Sequence, residues 1–507
     1  MPLEPFRPAF HFTPPAFWLN DPNGMVFYDG EYHLFYQYFP EDTVWGPMHW
    51  GHAVSTDLVN WQHLPIALEP DELGYIFSGS AVIDWQNTAG FGAEAMIAIY
   101  TYHDANAHQS QAIAYSLDKG RTWTKYAGNP VIPTPPNIRN FRDPKVLWYD
   151  NGDGSGHWVM ALAAGSAILF YTSPNLVDWV VTGSFGFGQG ATDSFWETPD
   201  LFELPVAGTA ESRWVLTVGI SNNAPAGGSG MQYFIGQFDG QTFTNENPKE
   251  TVLWADYGAD FYAAQSWSNA PDGRRLWLAW MNNWQYATQI PTATWRGAMS
   301  LPRELRLVQT NEGIRLGQTA VPELTHLRQS EQSWHNLTLQ PGTPFIPPVS
   351  GTQLEIIAEL ETPAEADSLG IRLRLGNGER TAVGYAPKSN TLFVDRTHAG
   401  QSNFNDLFAR IHTATFEPAD GVLKLHIFVD RSSIELFAGD GLISFTEQIF
   451  PDETSVGLEL FAEGTAVTIH SLTIHALGAA RFLPPPTSTT PAISQLPTLK
   501  IGQTIGR

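Results

Sequence analysis

Three carboxylic acids, Asp21, Asp143 and Glu197, each stand beside a residue that restricts or shields them. Asp21 lies between Asn20 and Pro22, Asp143 between Arg142 and Pro144, and Glu197 follows Phe195 and Trp196. Pro22 holds the residue before it in extended backbone and cannot donate to a sheet ladder. Asp21 is therefore expected at the mouth of a first strand, Met25 to Tyr28, walled by Phe17 and Trp18. Taken singly, each acid has a plain explanation: a turn before a hairpin for Asn-Asp-Pro, an ion pair for Arg142 and Asp143. Taken as a set they fit glycosidic bond cleavage. One carboxyl must stay ionised to attack or stabilise the anomeric carbon, and another must carry a proton for the leaving group. The Asn20 amide favours the charged form of Asp21 by hydrogen bonding, and Arg142 and Lys145 keep Asp143 anionic. Glu197, against its apolar neighbours, is the expected proton donor. Aromatic residues near the same motifs, Trp18, Trp45, Phe77, Trp284 and Trp295, suit stacking against a sugar face.

A repeat explains how acids so far apart in sequence could meet. Ser55-Thr56-Asp57-Leu58-Val59-Asn60-Trp61 returns around Trp123 and Trp179, and more weakly as Asp239-Gly240-Gln241-Thr242-Phe243. Each unit reads as a polar turn closing onto an aromatic anchor. In phase with these turns run Asp21, Ser78, Asp143, Glu197 and Asp260, at intervals of 54 to 65 residues. A period near sixty in an all-β pattern fits a four-stranded propeller blade with generous loops. Five such units occupy roughly residues 10–310. Their inner strands would line one central channel, so residues at one phase converge at one mouth. Three acids are a poor choice for filling a core.

Composition agrees with an all-β protein of two domains. The chain has 507 residues, 45 Gly and 37 Pro among short apolar runs, and 13% aromatic residues. That length exceeds one ordinary core. With 51 acids against 27 bases the formal charge is -24, which opposes a nucleic-acid partner. The absence of cysteine removes disulfides, thiolate metal sites and a Cys nucleophile. No apolar run approaches the roughly 20 residues of a membrane span, and no signal peptide is visible, so a cytoplasmic protein without a membrane partner is expected. The fifteen histidines show no repeated metal-ligand spacing, and neither a metal nor a cofactor is expected.

The second half changes texture. Residues 1–320 read as the propeller, 321–350 as a linker, 351–480 as an antiparallel β-sandwich with period-two strands, and 481–507 as a Pro/Ser/Thr-rich tail draped on the surface. The charged run Asp430-Arg431-Ser432-Ser433-Ile434-Glu435 reads as a sheet edge facing solvent.

The motifs Trp18-Leu19-Asn20-Asp21-Pro22-Asn23-Gly24, Phe77-Ser78-Gly79-Ser80, Phe141-Arg142-Asp143-Pro144-Lys145 and Trp196-Glu197-Thr198-Pro199-Asp200 together resemble glycoside hydrolase family 32. This is the β-fructosidase family of invertases, exo-inulinases and levanases. The resemblance extends through Asp260-Phe261-Tyr262 and Trp280-Met281-Asn282-Asn283-Trp284 to Trp295–Leu305, nearly the whole chain. It implies a five-bladed β-propeller followed by a β-sandwich and a retaining mechanism acting on sucrose or fructan. Asp21 would be nucleophile, Glu197 acid/base and Asp143 transition-state stabiliser. Trp18, Asn20, Gln37, Trp45, Phe77, Ser78, Arg142, Asp260 and Trp284 would bind the terminal fructosyl unit. In a retaining enzyme the two working carboxyls lie about 5–5.5 Å apart. The family usually has Cys where this chain has Thr198, and the hydroxyl is expected to tune the pH optimum. The run Met281–Ala287 looks more like fructan exo-hydrolases than strict invertases. Two other readings share the scaffold: a fructosyltransferase, and a propeller that binds fructan without catalysis.

Overall fold

The computed structural model describes residues 4–486, almost entirely as β-strands. Five blades, each built on an antiparallel run of four strands, follow one another along the chain. Their inner strands are Phe17–Tyr28, Tyr75–Asp84, Phe141–Asp150, Trp196–Pro205 and Tyr262–Ser266. Each neighbours the next around an axis, and the fifth returns to the first. The ring is closed by backbone: Ser268 N–H donates to the Met25 carbonyl and Phe27 N–H to the Ser268 carbonyl, both at 2.9 Å. The first strand starts well before the expected Met25, because Phe17 and Trp18 pair in parallel with Trp295 and Arg296. Gly24 is needed here: at φ +53° a side chain is strained, and a Cβ would lie 2.7 Å from Phe35.

The repeated turns join the third to the fourth strand of blades one to four. In the first, the backbone N–H groups of Val59 and Asn60 donate to Asp57 Oδ1, and Trp61 Nε1 donates to the Leu58 carbonyl. Asn175 with Trp179 and Asp118 with Trp123 repeat the arrangement. The residue after each turn acid or amide has positive φ, in Leu58, Lys119, Leu176 and Gly240 alike. A short polar side chain that replaces backbone acceptors makes this tight left-handed turn affordable. Between blades the core is aromatic. Trp18, Trp50, Trp196, Trp267, Trp277 and Trp280 are fully buried, each worth roughly the 1.5–3 kcal/mol of a large apolar side chain or more.

The C-terminal domain is a sandwich of a six-stranded and a five-stranded antiparallel sheet around its own aliphatic core. The segment expected as a linker, 321–350, is largely structure: Arg328–Leu339 is an edge strand of the six-stranded sheet, paired with Val467–Leu477. Its residues are mostly exposed, so the hydrophobic signal that marks a half-buried strand is missing. At the other end, Phe482–Leu483 does not drape loosely: it pairs in parallel with Trp61–Gln62 on the outer edge of the first blade. Residues 487–507 of the expected tail lie outside the described residues.

Asp430–Glu435 does not face solvent. Asp430 and Glu435 are wholly buried where the sandwich meets the propeller, holding His11 at 2.8 and 3.0 Å. Arg303, from the fifth blade, pairs with Glu435 at 2.6 Å and Asp256 at 3.0 Å. The charges that looked like a solvent face are the polar centre of the domain interface.

Candidate active site

Every inner strand carries a bulge at the same height, and the first has a second one between Asn23 and Val26. The residues left without a partner across the ladder are Asn20 and Asp21, Phe77 and Ser78, Asp143 and Pro144, Thr198 and Pro199, Ala263 and Ala264. A bulge breaks strict alternation and turns side chains out of the ladder, here toward the axis. Asp143 has φ 66° and Thr198 φ 45°, conformations costly for residues other than glycine and found where surroundings enforce them. The common phase seen in the sequence is thus a common bulge.

The bulges and the residues before them line a cavity of about 600 Å³. Asn20, Asp21, Gln37, Trp45, Phe77, Ser78, Arg142, Asp143, Glu197 and Trp284 all face it. Ser78 Oγ donates to Asp21 Oδ2 at 2.6 Å and Asn20 Nδ2 to Asp21 Oδ1 at 3.1 Å. Trp18 Nε1 donates to Asn20 Oδ1 at 2.8 Å, which sets the amide that meets Asp21. Arg142 Nη2 reaches Glu197 Oε1 at 2.9 Å, and Arg142 Nε lies 3.8 Å from Asp143 Oδ2. The Thr198 N–H donates to Asp143 Oδ2 at 2.9 Å. Phe77 stacks flat on His103 at 4.5 Å, and Trp45, 40% exposed, stands on the rim.

Two expected binding residues are elsewhere, and so is Trp295, an expected stacking aromatic, which is buried beside Phe17 and does not line the cavity. Trp18 has no exposure and supports the wall from behind, stacked on Trp284 at 5.9 Å. Asp260 is also fully buried and points into the domain interface. It accepts from Tyr286 Oη at 2.7 Å and pairs with Arg396 of the sandwich at 2.6 Å. The reason is local: Asp260 precedes its strand, and its N–H donates to the Thr446 carbonyl of the sandwich. Two residues later Tyr262 takes the in-phase position, and its hydroxyl donates to Glu197 Oε2 in a short bond. In the motif Asp260-Phe261-Tyr262 the acid is the residue whose chemistry stands out in the sequence, and the tyrosine is the one that reaches the cavity. Gln109 is absent from the expected residues, and Phe195 enters there only as an apolar neighbour of Glu197: Gln109 Oε1 accepts from Arg142 at 3.2 Å, and the Arg142 guanidinium lies over the Phe195 ring at 5.2 Å. No repeat marks Gln109; its only signal is the partner it holds.

Electrostatics correct the expected division of charge. Burial pushes Asp21 up to about 6, against the donated hydrogen bonds of Ser78 and Asn20 and with the Glu197 charge adding to the rise. Burial pushes Asp143 up to about 7, opposed by Arg142 and reinforced by Glu197 and Asp21. Neither neighbour amide nor arginine keeps these acids in the ordinary range, because desolvation and mutual repulsion outweigh them. Arg142 is shared, with its shorter contact on Glu197. The Thr198 hydroxyl is buried and has no hydrogen-bond partner among the described residues, so Thr198 acts on Asp143 through its backbone.

Carboxyls gathered around a cavity of this size, with hydroxyl, amide and guanidinium donors beside them, can bind and cleave a glycoside. Comparison with known proteins agrees. Models described as the glycosyl hydrolases family 32 N-terminal domain and C-terminal match residues 11–319 and 323–476. The chain belongs to glycoside hydrolase family 32. It is 55% identical over 483 residues to a levanase of Bacillus subtilis (strain 168), covering 94% of this chain and 71% of the relative. It is 41% identical to a levanase of Bacillus sp. (strain L7), covering 94% of this chain and 52% of that longer protein. The crystal structure of an exo-inulinase from Aspergillus awamori superposes with a TM-score of 0.87 at 36% identity, covering 94% of this chain and 99% of the other.

Proposed function

We propose that this chain is an exo-acting, retaining β-fructofuranosidase that removes terminal fructosyl units from fructans and from sucrose. The observation that carries the reading is the meeting of Asp21, Asp143 and Glu197 in one cavity. Beneath it the channel narrows to a neck at Gly79, Pro144 and Gln265 that leaves no room for a water molecule. A cavity closed below admits a chain end and stops it, which favours exo attack. The levanase relative adds levan to the substrate class.

In this reading Asp21 attacks the anomeric carbon while Glu197 gives its proton to the departing oxygen, leaving a fructosyl ester on Asp21. Glu197 then takes a proton from water, which attacks the ester and frees Asp21. Tyr262 and Arg142 hold the two oxygens of Glu197 through both steps. Asp143, fixed by the Thr198 N–H, binds sugar hydroxyls and offsets the developing positive charge. Asn20 and Ser78 orient Asp21, and Trp284, Phe77 and Trp45 form the apolar walls.

Relative rates on levan, inulin and sucrose, with the products identified, test the proposal. Free fructose should be the first and main product from levan and inulin, and sucrose should give fructose and glucose in equal amounts. Internal fragments from levan would replace exo with endo attack, longer fructosides from sucrose would make the chain a transferase, and no release from any of the three would end the reading.

A further inference from the structure

Past the neck the propeller axis opens again. The C-terminal parts of the inner strands enclose a second cavity of about 380 Å³, and none of its lining residues faces the first. Trp85, 55% exposed, stands in its lining, with Trp148 and Trp214. Arg275 lines the same space with its guanidinium over the Phe202 ring at 5.1 Å. Among the described residues that guanidinium makes two hydrogen bonds, to Ser266 Oγ and the Trp267 carbonyl, both at the 3.5 Å limit, and it has no carboxylate within ion-pair distance. Burial lowers its pKa below the usual arginine range. Arg275 is part-buried, and a guanidinium with most of its five donors free of protein partners among the described residues can donate to a ligand that enters the cavity.

The rest of the lining says what kind of partner. Two other charged groups of the lining are already engaged: Lys145 with Asp200 at 3.1 Å, and Asp84 with the Thr88 and Ala89 N–H groups. Asp84 and Glu203, in a protein of formal charge -24, disfavour an anion. The side-chain amides of Gln86 and Asn269 add planar donors and acceptors. Aromatic planes, a planar fork of donors, two amides and no excess of either charge match a ring that shows C–H groups on its face and hydroxyls on its edge. The volume is within the roughly 300–1,000 Å³ of small-molecule sites.

We propose that the far mouth of the propeller channel is a second, non-catalytic sugar site, in which Arg275 receives vicinal hydroxyls and the tryptophans receive the ring face. D-fructose is the natural probe. Titrated by calorimetry into the Asp21→Asn protein, it should show two sites, falling to one in Asp21→Asn/Arg275→Met and in Asp21→Asn/Trp85→Ala. Trp85 is largely exposed and Met keeps the bulk of Arg275, so both variants should fold. The single variants Arg275→Met and Trp85→Ala should hydrolyse substrate within about twofold of the wild-type rate. One site in the Asp21→Asn protein, or two in all three proteins, overturns the proposal. So does an Arg275-dependent site that takes inorganic phosphate and refuses fructose.

Discussion

Two of the molecule's groups of buried charges, one at the domain interface and one in the propeller funnel, are composed differently. At the domain interface two bases, His11 and Arg303, hold Asp430 and Glu435, with backbone N–H groups of Ala9, Phe10 and Leu301 filling the remaining acceptor sites. There Asp430 and Glu435 lie below their ordinary range despite burial, although burial raises Asp256 on the far side of Arg303, and His11 is pushed up to about 9 by the two lowered acids against the desolvation that lowers it. In the propeller funnel one base, Arg142, faces three acids, and Asp21 and Asp143 are raised. Same burial, opposite outcome. A satisfied cluster joins domains, whereas an under-compensated one stores repulsion that a positively charged transition state relieves. The funnel therefore trades stability for chemistry, and the cluster around Asp430 and Glu435 does not.

The sharpest way to break this contrast is Asp21→Asn. Activity should fall by about 10⁴-fold or more, the scale seen when a nucleophile is removed from a working set. Stability should move the other way. The folded-state value of about 6 stands above the unfolded carboxylate near 3.9, so Asp21 favours folding below pH 4 and loses that advantage as pH rises through 6. The Asn variant should gain on wild type across that window and unfold at higher denaturant at pH 8, by on the order of 1–3 kcal/mol. In the wild type, the acid limb of kcat/KM should reflect the same group, with activity falling as pH drops through about 6. Equal or lower stability of Asp21→Asn at pH 8 would mean the funnel acids are as well compensated as the interface.

Arg303→Met attacks the other side. It strands Asp256 without its base and leaves Glu435 with His11 alone, and removing one partner of a buried pair costs about 3–5 kcal/mol. Denaturant unfolding should show that loss, while the protein that remains folded keeps its kcat. The interface also has its own pH window. His11 has a folded value of about 9 above an unfolded 6.5, so its stabilisation is complete below pH 6.5 and is lost as pH rises through 9. His11→Gln should flatten that alkaline loss and leave the kcat/KM profile near pH 6 unchanged. A loss under 1 kcal/mol in Arg303→Met would show that the interface charges do not hold the domains.

The funnel was more legible in the sequence than the interface, for a physical reason. Its residues recur, because five blades place the same bulge at the same height, and the spacing of Asp21, Ser78, Asp143 and Glu197 carries that geometry. Interface partners are joined across more than a hundred residues, such as Asp260 to Arg396 and Arg303 to Glu435, and no local pattern links them. Asp430 and Glu435 look like surface charges because burial of a charge is decided by the partner, which sequence spacing does not reveal. Strand Arg328–Leu339 was hidden for a related reason: an exposed edge strand lacks the alternation that betrays a buried face. Asp21 is raised where the sequence implies an ordinary charged acid, because the visible neighbour, Asn20, opposes a desolvation that only the fold supplies.

Asp260 is where the two regions touch, and it sets the finest test. Its carboxylate accepts from Tyr286, which belongs to the loop carrying Trp284 into the funnel, and pairs with Arg396 of the sandwich. The same loop is tied to the sandwich at Asn405, whose Nδ2 donates to the Gln285 carbonyl at 3.1 Å. The sandwich thus braces one wall of the sugar cavity through a buried ion pair, with no side chain of its own lining that cavity. Asp260→Asn keeps the size and one acceptor but removes the charge that matches Arg396, so the loop should lose its fixed position and the bound sugar its wall. The expected result is a rise in KM of about three- to tenfold, worth roughly 1 kcal/mol, with kcat within about twofold. Arg396→Lys should show the same split, since an ammonium cannot span Asp260, Glu447 and Tyr286 as the guanidinium does. A collapse of kcat in Asp260→Asn comparable to that of Asp21→Asn would instead put the carboxylate on the substrate, as the family resemblance implied, and would move Asp260 from the interface to the funnel.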